Sequence, residues 1–164
     1  MNKLNVRQIC ELAFYGALIF AGKFALAGLP NIEPVTLFIA LAAIVFGPTG
    51  IWSVLVYVLL EYLLYGLNLW SICYLYLWPG WFYICLAFRK ENSLLFWTFA
   101  CTLFGLLFGG LCALVYIPVS GWDFAWKWWL AGLPFDLLHT TGNFLFCLVL
   151  FHPLKKVLIQ LHKH

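Results

Sequence analysis

Long apolar runs separated by short polar breaks form the main pattern of this chain. Uncharged stretches at 34–60, 62–88 and 92–122 reach or exceed the ~20 residues that a helix needs to cross a bilayer. They are apolar in consecutive positions, whereas a membrane β-barrel would alternate polar and apolar residues. The pattern therefore predicts an all-α integral membrane protein that forms a single domain, 1–164.

Proline, glycine and charged residues divide the apolar runs into helices. The segments 29–31 and 47–50 contain turn-forming residues, and 89–92 is the clearest hydrophilic loop. The second helix is short for a crossing, because 13 residues rise only ~20 Å. We predict a bundle of six transmembrane helices, at about 9–29, 34–46, 51–67, 70–88, 94–117 and 134–152, with a longer connection at 118–133.

The loop cations predict the orientation of these six helices. With six crossings, all but one of the loop cations lie on one side of the membrane, and Lys127 lies opposite. Loops rich in Lys and Arg stay in the cytoplasm. We therefore expect both termini to be cytoplasmic. The cations on that side are Lys3, Arg7, Arg89, Lys90, Lys155, Lys156 and Lys163.

Composition excludes a soluble globular domain. Of 164 residues, 65% are hydrophobic and 9% are charged, and the mean hydropathy is +0.98, which is more apolar surface than a soluble interior hides. The first apolar run continues to about Leu29 without a small-residue cleavage site, so it indicates a membrane helix rather than a cleaved signal peptide. The six cysteines form no CxxC pair, which favours small buried apolar residues over disulfides. We expect no metal, cofactor or nucleic-acid partner.

Aromatic residues are concentrated near the predicted outer face. An interfacial aromatic belt accounts for any one of them. Their density also suits a ligand cavity, because flat rings in a helix bundle can enclose a planar molecule. These aromatic residues are Tyr62, Tyr65, Trp70, Tyr74, Trp122, Trp126, Trp128 and Trp129.

Ionisable side chains within membrane segments are costly and mark candidate functional sites. Asp136, His139 and Asn143 are spaced i, i+3, i+7, which places them on one helix face. Lys23 lies in the first helix and can reach the membrane surface or pair with Glu33 or Glu61. The candidate substrate-binding residues are Glu33, Glu61, Tyr65, Trp70, Tyr74, Asp136, His139 and Asn143.

Structural roles remain open for the same polar residues. Asp136, three residues into a helix that starts at Pro134, could satisfy free amide groups at the helix start. His139 could be a hydrogen-bonded interior histidine, and Asn143 could join two helices. The polar cluster is therefore consistent with a ligand site or with helix packing.

Small residues predict where helices approach closely. Ala13, Ala17 and Ala21 repeat every four residues on the first helix, and Gly105 and Gly109 form a GxxxG motif on the fifth. Such stripes let helix backbones come together within a chain or between chains. The pattern alone identifies no partner.

The layout resembles the substrate-binding S components of energy-coupling factor (ECF) transporters, six-helix prokaryotic membrane proteins for micronutrient uptake. The resemblance rests on the alanine-striped first helix, on LPNIEPVTLFIALAAIVFGPTG at 29–50 and on FDLLHTTGNFLFCLVLFHPLKKVL at 135–158. It implies that the chain binds a vitamin or related ring-containing solute near the outer face of the cell membrane. It also implies that Ala13, Ala17 and Ala21 contact a transmembrane T component, which links the chain to two cytoplasmic ATPases.

Two other classes of function stay open. A structural or assembly subunit would use its polar residues only to tie helices together. A membrane enzyme could use Asp136 and His139 as an acid/base pair, although the polar cluster contains no Ser or Cys nucleophile. The chain lacks a Walker A sequence, so we expect nucleotide to bind only to partner subunits. We therefore expect a transport protein without enzymatic activity of its own.

Overall fold

A computed structural model describes residues 4–163, with the side chain of Lys163 excepted. This part of the chain is almost entirely helical and contains no strand, as the apolar pattern predicts. Lys3 and the Lys163 side chain, two of the cations used to predict the topology, lie outside the described structure. Residues 4–163 form seven α-helices, namely α1 (Val6–Ala25), α2 (Val35–Phe46), α3 (Ile51–Tyr65), α4 (Leu69–Ile72), α5 (Tyr74–Ala87), α6 (Leu94–Ala113) and α7 (Ile117–Lys163).

Local sequence explains where several helices begin. The Asn5 side-chain oxygen accepts a hydrogen bond from the Gln8 backbone amide, and the Gln8 side-chain oxygen accepts one from the Asn5 backbone amide. Asn68 forms the same reciprocal pair with Ser71 at the start of α4. Ser93 caps α6. Each cap satisfies backbone amides that have no partner within the first helical turn.

The helices alternate in direction. Tyr15 packs against Phe46, with ring centroids 5.1 Å apart, and Gly22 faces Pro34, so α1 and α2 are antiparallel. Gly16 meets Ser53 while Lys23 meets Glu61, so α1 and α3 run in parallel.

The second half of the chain continues this alternation. Tyr76 donates to the Leu111 carbonyl at 2.7 Å, and Phe88 packs on Phe96, which makes α5 and α6 antiparallel. The later part of α7 runs back along α6, because Gly109 contacts Asp136 at one end and Trp97 stacks on Phe151 at the other. His162 Nδ1 lies 2.8 Å from Glu11 Oε1, so the N-terminal part of α1 and the last turn of α7 lie at the same end of the bundle.

Four helical stretches within residues 4–163, not six, are long and apolar enough to cross a membrane: Val6–Ala25, Val35–Tyr65, Leu69–Ala87 and Leu94–His162. The second and fourth contain chain reversals. A straight helix of 69 residues would rise roughly 100 Å, far beyond a ~30 Å bilayer core. Gly47, with a φ of 58°, begins the turn between α2 and α3, and a 3-10 segment, Leu114–Tyr116, follows α6.

Some predicted boundaries were wrong. The first helix ends at Ala25 rather than near 29. The predicted 118–133 connection is helical and belongs to α7, with one break at Gly121 (φ 80°). α7 also continues through Pro134 and Pro153. Proline removes one amide donor, but a long helix that is held by packing on its neighbours tolerates this loss.

Apolar side chains fill the interior and also cover the outside. Trp78, Trp97 and Phe82 are buried. In contrast, Phe14 is 73% and Leu95 is 76% exposed, as expected for helices surrounded by lipid rather than water. The helices are therefore consistent with a membrane protein.

Close helix contacts occur at glycines. A Cβ added to Gly16 would lie 2.5 Å from the Ser53 carbonyl oxygen. A Cβ on Gly105 would meet the Asn143 side chain at 2.8 Å, and one on Gly109 would collide with the Asp136 carboxylate. The GxxxG motif thus packs α6 against α7 within the chain.

Candidate functional site

A cavity of about 210 Å³ opens at the end of the bundle opposite the chain termini. It lies where the C-terminal end of α1, the 26–34 loop and α4 meet the adjoining parts of α3, α5, α6 and α7. Mixed aromatic and charged lining of this kind is typical of small-molecule sites. The lining residues are Lys23, Leu26, Ala27, Leu29, Pro30, Asn31, Ile32, Glu33, Tyr65, Trp70, Tyr74, Phe108 and His139.

Lys23 is the central charge of this first cavity. Its Nζ donates to Glu61 Oε2 at 2.6 Å and to the Tyr74 hydroxyl at 3.0 Å, and it lies 4.0 Å from Glu33 Oε2. The Glu61 side chain is only 2% exposed, so loss of Lys23 would leave a buried carboxylate without a counter-charge. The sequence left open whether Lys23 reaches the membrane surface or pairs with Glu33 or Glu61. In the structure Lys23 pairs with Glu61 and approaches Glu33.

Three aromatic rings surround the Lys23 ammonium group. Nζ lies 4.9 Å from the ring centroid of Tyr74, 5.4 Å from that of Trp70 and 5.6 Å from that of Tyr65. These distances fall within the range of cation–π attraction. The aromatic box of the first cavity is therefore already occupied by the protein's own cation.

Glu33 lies between Lys23 and His139 in the lining of the first cavity. His139 Nε2 lies 3.9 Å from Glu33 Oε1 and 3.4 Å from Thr36 Oγ1. The Thr36 carbonyl accepts a hydrogen bond from Trp81 Nε1 at 2.9 Å, which links the start of α2 to α5. Glu33 lies in the 26–34 loop, outside the stretches that are long and apolar enough to cross a membrane. Burial raises the pKa of Glu33 to about 7, while Lys23 lowers it and Glu61 raises it.

A second cavity, of about 310 Å³, lies beside the first and shares Asn31, Trp70 and Phe108 with it. Asp136 lies in its wall. Asp136 Oδ1 accepts from the Gly109 amide at 2.9 Å, whereas Oδ2 makes no hydrogen bond. The remaining lining residues are Gly109, Cys112, Trp128, Ala131, Gly132 and Phe135.

The predicted site residues fall into three positions. Five line the first cavity, and Glu61 lies behind it as the partner of Lys23. Asp136 lines the second cavity. Asn143 lines neither cavity, because its Nδ2 donates to the Cys101 carbonyl at 3.1 Å and joins α7 to α6. The five residues in the first cavity are Glu33, Tyr65, Trp70, Tyr74 and His139.

Asp136 and His139 share a helix face but have different partners. Asp136 bonds to α6 through Gly109, and His139 approaches Glu33 and Thr36. Asp136 does not satisfy amides at a helix start, because α7 begins at Ile117, well before it. The two residues therefore do not form a hydrogen-bonded acid/base pair.

Sequence reasoning missed several wall residues. Phe108, whose ring centroid is 4.7 Å from that of His139, is one of 16 phenylalanines, and nothing in its local pattern distinguishes it. Thr36 lies within an apolar run. Asn31 did offer a signal in the sequence, since it is a polar residue beside predicted outer-face residues. In the structure Asn31 has a left-handed φ of 54°. Its Nδ2 donates to the Phe135 carbonyl at 3.3 Å.

The alanine stripe lies on the outside of the bundle. Ala13, Ala17 and Ala21 are exposed, whereas Gly16 on the neighbouring face packs against α3. The stripe is thus available to another membrane helix. No part of the described chain covers these three residues enough to bury them.

Cysteines, histidines and carboxylates form no metal site within residues 4–163: no group of three or more is placed to hold an ion. All six cysteines are free, and every one except Cys10 is buried. Comparison with models of known protein families, with curated proteins and with solved structures gives no match to the chain. The functional inference therefore depends on the residues and geometry described above.

Proposed function

We propose that this chain is the substrate-binding S component of an ECF-type importer in a prokaryotic cell membrane. In this role it captures a vitamin or related ring-containing micronutrient at the outer face, and partner subunits drive uptake with ATP. One observation carries the proposal: charged groups, Lys23 and Glu61 in helices and Glu33 in a loop, meet beside an aromatic-walled cavity at one end of an apolar bundle.

The energetic cost of this arrangement supports a binding role. Burying charges within a bundle is unfavourable unless they are paired, and replacement by apolar residues is often neutral or stabilising. A purely structural subunit would have little need for Lys23, Glu33 and Glu61 at the rim of an open cavity. A solute-binding subunit needs a desolvated pocket with a few fixed polar groups.

Six crossings with cytoplasmic termini fit the alternating helix directions. In the proposed topology α1, α3 and α6 run outward, and α2, α5 and the later part of α7 run inward. The proximity of His162 to Glu11 supports placing both termini on one side. α2 has 12 residues, so in this topology the 26–34 loop completes its crossing and forms the outer rim of the cavity.

The proposed partners are a transmembrane T component and two cytoplasmic ATPases. The exposed alanine stripe supports contact with a T-component helix, because small side chains allow two helix backbones to approach closely. Binding and chemistry are then divided between subunits. This chain binds and releases the solute without enzymatic activity, and hydrolysis occurs on its partners.

A ligand-induced stability screen tests solute binding. The melting temperature of the detergent-purified wild type is measured with B vitamins, their precursors, nucleobases and related ring compounds. Trp70→Ala and the exposed control Trp122→Ala are measured with the same compounds. A true ligand at a thousandfold excess over Kd stabilises the native state by roughly 4 kcal/mol. We expect one compound to raise the melting temperature of the wild type and of Trp122→Ala but not of Trp70→Ala.

The outcomes separate the classes of function. Absence of any stabilising compound across the panel would contradict solute binding and favour a structural subunit. Conversion of a bound compound into a product would identify an enzyme. For the partner contact, Ala17→Leu should reduce co-purification of the T component and ATPases from native membranes, while Val149→Leu, an exposed position on α7, should not.

A further inference from the structure

The two neighbouring cavities differ in one respect that bears on the ligand. Both have aromatic walls, and both contain a carboxylate. In the first cavity Lys23 lies within the aromatic box and pairs with Glu61. None of the described residues that line the second cavity is a cation, although Lys23 Nζ lies 5.4 Å from the ring of Trp70, which the two cavities share. Among the side chains that the structure describes, no positively charged group lies within 4.0 Å of Asp136.

Asp136 is buried with half of its hydrogen-bonding capacity unused. The residue is 2% exposed, Oδ1 accepts from the Gly109 amide, and the Trp129 indole N–H lies near the carboxylate without completing a hydrogen bond to Oδ2. A buried carboxylate without a counter-charge is strongly unfavourable. A cation that enters the cavity would therefore gain both a hydrogen-bond acceptor and a favourable charge interaction.

The walls of the second cavity suit an organic cation. Four aromatic residues, Trp70, Phe108, Trp128 and Phe135, line it together with Asp136. Ring faces carry negative electrostatic potential, and aromatic cages with a nearby carboxylate recognise ammonium and heteroaromatic cations. A small inorganic cation would prefer more oxygen ligands than this cavity supplies.

The two cavities are close enough for one molecule to occupy both. Asp136 lines the second and His139 lines the first, and three residues of helix separate these positions by ~4.5 Å along the axis. Asn31, Trp70 and Phe108 form the shared wall. An elongated ring compound that passes these shared side chains would therefore have its ends in different cavities.

We propose that the second cavity binds the cationic end of an elongated, ring-containing solute, with Asp136 as its counter-ion and Trp70, Phe108 and Trp128 as its cage. The neutral ring end of the solute lies in the first cavity beside His139. This inference rests on the proposed solute-binding function and narrows the substrate class to organic cations.

Matched probes test the charge preference directly. N-benzylpyridinium is compared with neutral 4-benzylpyridine, and tryptamine with neutral tryptophol and anionic indole-3-acetate, by calorimetric titration of the detergent-purified full chain at pH 8. We expect each cation to bind the wild type roughly tenfold to a hundredfold more tightly than its neutral counterpart. The anion should bind most weakly.

Two isosteric variants test whether the preference for cationic over neutral probes depends on Asp136. Asp136→Asn retains the size of the side chain and an acceptor for the Gly109 amide, so it should fold and bind cation and neutral probe with similar affinity. Asp123→Asn makes the same change at an exposed position of α7 and should retain the wild-type preference. Monodispersity and melting temperature of each variant check that it is folded.

Three results would overturn the inference. These are equal binding of cation and neutral probe to the wild type, retention of the preference in Asp136→Asn, and no binding of either cation. If ring compounds of the broad screen still stabilise the wild type, the solute-binding function stands and only the assignment of the cationic subsite fails. If no compound in either experiment binds, the proposed function fails as well.

Discussion

The two ends of the helix bundle bury different kinds of side chain. At the end where the termini meet, Trp97 stacks on Phe151 with ring centroids 5.9 Å apart, and Cys85, Cys101 and Cys147 fill the space between helices. At the opposite end, charged residues are buried beside two cavities. The described chain has no comparable buried ion pair at the terminal end.

This difference indicates that the terminal end serves helix packing and that the cavity end is suited to binding. Tight apolar contacts hold helices together without specific polar partners. Charged groups need specific partners and are costly when those are lost. We therefore expect substitutions at the terminal end to change stability alone, and substitutions at the cavity end to change binding, stability and pH dependence.

The largest effect should follow removal of the buried Lys23 charge. Lys23→Met leaves Glu61 without its partner and should lower the free energy of unfolding by about 3–5 kcal/mol. Denaturant titration in detergent measures this loss. The control Lys127→Met breaks an exposed pair with Asp123 and should cost less than about 1 kcal/mol.

A double variant sharpens this result. Lys23→Met combined with Glu61→Gln removes both charges and should be more stable than Lys23→Met alone, because no unpaired carboxylate remains. If the single and double variants are equally unstable, side-chain packing rather than charge explains the effect.

The next effect tests the terminal end. Phe151→Ala removes a fully buried ring and should destabilise the protein by roughly 3 kcal/mol, with ligand affinity unchanged in the folded fraction. Trp70→Ala, at the cavity, should show the reverse, with little loss of stability and strong loss of binding. Melting temperature and ligand affinity, measured for both variants, distinguish the two effects. Loss of ligand affinity in Phe151→Ala would contradict the expectation that the terminal end affects stability alone.

Glu33 gives the cavity end a pH dependence. Its pKa is raised to about 7 by burial, so the folded state binds a proton more tightly than the unfolded state. This contribution to stability is fully present below the unfolded pKa of 4.5 and is lost as pH rises through about 7. Between pH 5 and 8 the wild type should lose on the order of 2 kcal/mol, and Glu33→Gln should give a flatter profile.

The matched control for pH is Glu91→Gln, in the exposed loop at the terminal end. The pKa of Glu91 is lowered rather than raised, because the amides of Ser93 and Asn92 donate hydrogen bonds to its carboxylate. This variant should retain the decline in stability between pH 5 and 8. If Glu33→Gln retains it as well, another group is responsible.

The smallest effect concerns helix contact away from both ends. Gly16→Ala places a Cβ against the Ser53 carbonyl, which costs packing energy, while alanine favours the helix by about 1 kcal/mol. The net loss of stability should be about 1 kcal/mol. Gly28→Ala, where nothing lies within 4 Å of the added Cβ, should be neutral or slightly stabilising, and an equal effect at both sites would argue against a close α1–α3 contact.

The sequence predicted helix type and the main turns well, and boundaries less well. The turn at 47–50 and the loop at 89–92 lie where polar and glycine residues indicated. The prediction failed at 118–133, because its Trp and Lys residues suggested a connection although the segment is helical. Composition cannot distinguish an exposed amphipathic helix from a polar loop when the stabilising contacts come from other helices.

The candidate site was predicted in part. The sequence indicated Glu33, Glu61, Asp136 and His139, because each is an ionisable residue within or beside an apolar run, where burial of a charge is unfavourable. It could not reveal that Asn143 bonds to the Cys101 carbonyl. Nor could it show that Asp136 and His139 line separate cavities, since helical spacing defines a shared face and not the neighbours of that face.

The sequence by itself determined the helical class and the preference of the helices for an apolar surrounding, because hydrophobicity and turn chemistry act over short stretches of chain. Only the tertiary structure decided that Lys23 pairs with Glu61, which is 38 positions away, and that Phe108 lines two neighbouring cavities. Such contacts depend on helix direction and close packing at glycines, which arise between segments distant in sequence.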